Sequence, residues 1–108
     1  MSRTIITNSG SDFFTNVNSE MFLGEICKLV DAKYYHSPFF NEDKLAFNMT
    51  EEEAKEAGEK LLALIPKVPQ IFKSYKHYFE STASPKVMIE TLEYYSKCFI
   101  DSKGYDCI

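Results

Sequence analysis

The sequence predicts a mainly α, single small domain of about four helices, with room for a short hairpin at the N-terminus or within 38–49. Three observations predict it. Apolar residues recur at three- and four-residue steps over most of the chain, which is the helical period. Helix start signals and prolines divide that pattern into segments of helical length. The chain has 108 residues, the size of one domain, and the 15% aromatic share is all Phe and Tyr, so large rings fill a small core.

Residues 1–18 are rich in Ser, Thr, Asn and Gly. They read either as an irregular arm or as two short strands, TIIT and DFFTNV, around Asn8-Ser9-Gly10. In either form Ile5, Ile6, Phe13 and Phe14 are expected to pack on the body. The helical domain proper is expected over 19–104, with 105–108 as a tail.

The first helix is expected over 19–35, capped by Asn18 or Ser19 and stopped at Ser37-Pro38. Phe22, Ile26, Leu29 and Val30 form one apolar stripe, Leu23, Cys27, Val30 and Tyr34 a second. With Met21 most of its circumference is apolar, so it is expected to lie centrally. The 38–49 connection, PFFNEDKLAFNM, reads as a hairpin or ordered loop.

Thr50 opens the clearest local signal. TEEE is a capping box with Glu53 as its reciprocal member, and three glutamates suit the positive end of a helix dipole. Ala54, Ala57, Leu61 and Leu64 give the buried face of a helix over 51–65. Small Ala57 and Gly58 leave room for a close helix neighbour. Pro69 suits the start of a third helix, over 69–81, with Ile71, Phe72, Tyr75 and Phe79 on one face. Ser84 as cap and Pro85 in the first turn open the fourth, over 85–103, with Met88, Leu92, Tyr95 and Phe99 inward and Gly104 as its stop. The core is therefore expected to hold Phe22, Ile26, Leu61, Leu64, Phe72, Met88, Leu92, Tyr95 and Phe99.

The net charge of −4 disfavours general polyanion binding and suits a basic partner. Three cysteines without CxxC spacing do not make a secreted disulfide framework. The N-terminus has no signal-peptide core and no run is long and apolar enough for a membrane span, so a cytoplasmic setting is the expectation. No Gly-x-Ser-x-Gly, glycine-rich phosphate loop or HExxH occurs. His77-x-x-Glu80 reverses the Glu-x-x-His order of carboxylate-bridged metal sites and has no second pair; His36 is the only other histidine. Cys27 and Cys98 fall on or beside apolar stripes, as small buried hydrophobes do; Cys107 is expected to be exposed. No catalytic site, metal or cofactor is expected, and the chain reads as not an enzyme.

Two functional classes remain. The first is a non-catalytic acidic interaction protein, an adaptor, inhibitor or accessory factor, that docks on a partner protein. Its contact residues are Glu51, Glu52, Glu56 and Glu59, with Tyr35, Tyr78 and Tyr94 as outward rings, since tyrosine buries much area at little rotamer entropy. Self-association is also open to it. The second is a nucleic-acid-associated regulator that uses the basic, aromatic stretch PKVPQIFKSYKHYF, with Lys67, Lys73, Lys76 and Tyr78 on phosphate or base. Against it stand five glutamates on the preceding helix, Glu51, Glu52, Glu53, Glu56 and Glu59, and the presence of a single arginine, Arg3.

Overall fold

The computed structural model describes residues 2–27, 29 and 47–107. Within them the chain is mainly helical, with four α-helices and two small two-stranded sheets. The second half of the expected 19–35 helix, with Val30, Tyr34 and Tyr35, lies outside the described residues, as do His36, most of the 38–49 connection and the side chains of Cys27 and Cys107.

The N-terminal segment is a hairpin. Strand β1 (Ser2–Ile5) pairs antiparallel with β2 (Phe13–Asn16), with Ile5 opposite Phe13 and Thr4 opposite Phe14. Successive strand side chains face opposite ways. Ile5 and Phe13 are therefore buried, while Ile6 and Phe14 remain 64% and 69% exposed. Only half of the expected apolar set reaches the body, because the two-residue period allows no more.

Helix α1 (Val17–Cys27) follows β2 without a loop. It starts two residues before the expected point because Asn16, not Asn18 or Ser19, is its cap: Asn16 Oδ1 accepts from the Ser19 N–H at 2.9 Å. Phe22, Leu23 and Ile26 are buried, but Met21 and Leu29 are 45% and 52% exposed. The described part of this helix is thus half-buried rather than central.

Helix α2 (Glu51–Ala63) starts with the expected capping box, Glu53 N–H to Thr50 Oγ1 at 3.1 Å and Thr50 N–H to Glu53 Oε1 at 3.0 Å. A 3-10 turn (Ile65–Lys67) leads into α3 (Val68–Tyr75). The helix expected over 69–81 tightens at Lys76–Tyr78 into a second 3-10 turn and ends at Phe79, whose backbone is extended. In 3-10 geometry side chains at i and i+3 eclipse. This stacks Tyr75 on Tyr78, with ring centroids 6.5 Å apart, and both rings meet Phe22 edge-on at 5.9 Å. Phe79 joins the same cluster, 5.2 Å from Phe22 and 6.2 Å from Phe72. The gain in ring packing accounts for the early end of the helix.

The central element is α4 (Pro85–Ser102). Met88, Leu92, Tyr95, Ser96, Phe99 and Ser102 along it are buried. All nine expected core residues are buried, joined by Ile5, Phe13, Leu23, Ala54, Ala57 and Val68. Helices α2 and α4 share the most extensive contact in the fold. They cross at Gly58, where a Cβ would sit 2.6 Å from Ile100 Cγ1 and 2.9 Å from the Ser96 carbonyl oxygen. Ser96 uses this proximity to donate its hydroxyl to the Gly58 carbonyl at 2.7 Å.

Residues 105–107, read from the sequence as a tail, form strand β4 (Tyr105–Cys107), antiparallel to β3 (Phe47–Met49). The pairing sets the end of α4 beside the start of α2, so the two helices run antiparallel. Gly104 at φ +92° turns the chain out of α4, with Lys103 before it also left-handed at φ +56°. The hairpin turn of residues 7–10 closes this end. Ser9 N–H donates to Ser102 O at 3.0 Å, Asn8 N–H to Gly104 O at 2.9 Å, and Ser9 Oγ to Asp101 O at 2.6 Å. The last carbonyls of α4 have no partners within the helix. Those of Asp101 and Ser102 are satisfied here by Ser9, more than ninety positions away.

Candidate functional site

The four glutamates expected to contact a partner lie on the outward side of α2. Its inward side is Ala54, Ala57, Gly58 and Leu61, which turns Glu52, Glu56 and Glu59, spaced by four and three, along one outer stripe. Glu51, Glu52 and Glu59 are exposed. Glu56 is half-buried and pairs with Lys60 at 3.1 Å. Glu53 is consumed by the capping box. Leu62, 41% exposed, and Ala63 end the same outer surface. The result is an acidic helix face with an apolar end.

The tyrosines divide. Tyr94 is exposed and Tyr95 is buried, the two rings meeting edge-on at 5.0 Å, as expected of helix neighbours about 100° apart. Burial, followed by the neighbouring Cys98, pushes the Tyr94 hydroxyl above its ordinary range. Burial likewise raises the Cys98 thiol, against the opposing effect of its hydrogen bond with Tyr94. A half-buried thiol held protonated is a packing group and a weak nucleophile. Tyr78 is half-buried, its ring turned against Phe22 and covered by the His77 ring at 4.1 Å. Lys67, Lys73 and Lys76 are exposed on the two 3-10 turns and the last turn of α3. His77 and Glu80 do not share a helix, since the 3-10 turn ends at Tyr78. Among the described residues no cluster of His, Cys, Asp or Glu is arranged to hold a metal ion, and no helix is long and apolar enough to cross a membrane.

These residues do not converge on one surface. The start of α2, with Glu51 and Glu52, lies at the end of the molecule where α4 finishes. Tyr78 lies at the opposite end, where α4 starts. There it lines an open cleft of about 480 Å³ between the first turn of α1 and the 78–84 connection. Asn16, Asn18 and Ser19 form one wall; Glu80, Thr82 and Ser84 contribute polar groups to the other, and Phe79 and Val87 apolar surface.

Sequence reasoning assigns Asn18, Ser19 and Ser84 to helix caps and so overlooks the cleft. In the fold Asn16 takes over the cap of α1, and Ser84 occupies the cap position of α4 without a side-chain hydrogen bond. The backbone alone closes that turn, Val87 N–H to Ser84 O at 3.0 Å. No local signal marks the cleft: the cap of α1 falls on Asn16, before both expected candidates, which leaves the Asn18 and Ser19 side chains outside the cap. Searches against family models, curated proteins and solved structures find no match to this chain.

Proposed function

We propose that the chain is a non-catalytic interaction protein that docks on a partner with a basic surface through the outer face of α2. The observation that carries the reading is the placement of Glu51, Glu52 and Glu59 on the solvent side of a helix whose other side is buried, chiefly against α4. These carboxylates steer a basic partner and set its register, and Leu62 with Ala63 supplies apolar area at the helix end. Tyr94 is an exposed ring available as a further anchor. The net charge of −4 acts in the same direction.

The second reading, a nucleic-acid regulator, draws on exposed Lys67, Lys73 and Lys76. Its aromatic member, Tyr78, is packed against Phe22 and presents little face for base stacking. Fluorescence anisotropy separates the two. A lysine-rich peptide and a DNA duplex are titrated against the protein at two salt concentrations. The docking reading expects peptide binding that is lost in the double variant Glu52→Lys, Glu59→Lys. Duplex binding that weakens steeply with salt, or peptide binding indifferent to those substitutions, overturns it.

A further inference from the structure

We propose that the cleft at the start of α4 receives an arginine side chain, with its flanking peptide, from a partner protein. The inference rests on the docking reading above and assigns a second contact, at the opposite end of the molecule from Glu51 and Glu52.

Charge is the first argument. Among the described residues, Glu80 is the only ionisable side chain in the lining apart from the Tyr78 phenol, and no lysine, arginine or histidine is among them. Hydrogen-bonding capacity is the second. The side chains of Asn18 and Ser84 face this space without engaging the helix starts beside them, for the reasons given above. With the Glu80 carboxylate they offer acceptors to a planar donor fork that carries several N–H groups in fixed directions. Arginine meets that description better than lysine, whose ammonium is a compact, strongly hydrated point charge. Phe79 adds ring surface to the same lining, and a guanidinium also packs on aromatic faces.

The cleft of about 480 Å³ falls in the usual range of ligand sites, roughly 300–1,000 Å³. It is therefore roomy enough for the side chain together with adjoining peptide backbone. An anion is disfavoured although two helices start here. Asn16 already takes the Ser19 N–H, α4 begins with Pro85, which has no N–H, and Glu80 repels negative charge.

The test titrates acetyl-Gly-Arg-Gly-amide into the full chain, followed by amide chemical shifts in NMR. Matched peptides carry citrulline, the neutral isostere of arginine, or glutamate in the central position. The arginine peptide is expected to shift the amides of Asn18, Ser19, Thr82 and Ser84. Citrulline should bind about tenfold more weakly, the loss of one charge-assisted contact. Glu80→Gln, at an exposed site, should weaken the arginine peptide to a similar degree while leaving the rest of the spectrum in place. The double variant Glu52→Lys, Glu59→Lys should leave cleft binding unchanged, so failure at α2 and failure in the cleft are read separately. Equal binding of citrulline and arginine, stronger binding of the glutamate peptide, shifts confined to other residues, or no shifts at all overturns the proposal.

Discussion

The two ends of α4 are built on opposite principles. At its C-terminal end the hydrogen-bonding groups are engaged. Ser102 Oγ bonds the Phe99 carbonyl and accepts from the Gly104 N–H, at 2.6 and 3.0 Å, and the Asn8–Ser9 turn satisfies the carbonyls beyond. Phe13 seals that end against Phe99 and Tyr95, 5.9 and 6.4 Å between ring centroids. At its N-terminal end Ser84 makes no cap bond, Pro85 has no N–H to cap, and Val87 stays partly exposed beside an open cleft. Leaving polar groups uncommitted forgoes a cap bond's contribution of about 0.5–2 kcal/mol. The contrast is between an end whose polar groups are spent on the fold and an end where Ser84 leaves its cap bond unmade beside a cleft, the place of the proposed arginine contact.

The largest expected effect comes from breaking the sealed end. Phe99→Ala should cost about 3–5 kcal/mol, because a ring with no exposed surface leaves a cavity under the hairpin. Val87→Ala at the open end should stay within about 0.5 kcal/mol, as exposed substitutions do. Paired urea denaturation curves check both, and similar midpoint shifts would erase the distinction between the ends.

Next in size is the helix crossing between the two ends. Gly58→Ala gains roughly 1 kcal/mol of helix propensity. Its Cβ, however, meets Ile100 and the Ser96 carbonyl too closely, and overpacking of this kind costs about 1–3 kcal/mol. Net destabilisation is expected by thermal melting. A more stable variant would mean that the crossing has slack.

The same residue type can then be compared at the two ends. Ser9→Ala should cost about 1 kcal/mol by losing the bond to the Asp101 carbonyl. Ser84→Ala should be nearly neutral, since there is no cap bond to lose. Lys103→Gly tests the same end from the other direction. Lys103 holds a left-handed backbone, so glycine there should stabilise by up to about 1 kcal/mol.

The smallest effect is alkaline. Folding raises the thiol of Cys98 and the hydroxyl of Tyr94 above their ordinary values of 9.0 and 10.0, by burial in both cases. The native state then holds these protons more tightly than the unfolded chain, so stability is full below about pH 9 and falls as pH rises through the raised values. Cys98→Ser should delay the onset of that fall in pH-dependent denaturation, and an unchanged onset would place the effect elsewhere.

Helices α2 and α4 were legible because their signals are local. The Thr50–Glu53 box, the Ala54–Leu61 face and the Met88–Phe99 stripe need no distant partner to be read. Helix α1 was less legible: its apolar residues are many, and only the surrounding chain selects Phe22, Leu23 and Ile26 for burial while leaving Met21 exposed. Gly58 announced a close approach, but the hydroxyl that exploits it, on Ser96, lies 38 positions away. The outer glutamates of α2 follow from its period. The cleft does not, because its walls come from α1 and from 78–87, and no sequence window contains both.

Side-chain period, caps and prolines thus determined by themselves which segments coil into helices and which of their faces are apolar, since those preferences act over three or four residues. Tertiary structure alone decided that Asn16 rather than Asn18 or Ser19 caps α1, what satisfies the end of α4, and which polar groups remain open at its start. The physical reason is that a backbone group accepts whichever donor packing brings within reach, and that reach is set by the whole fold.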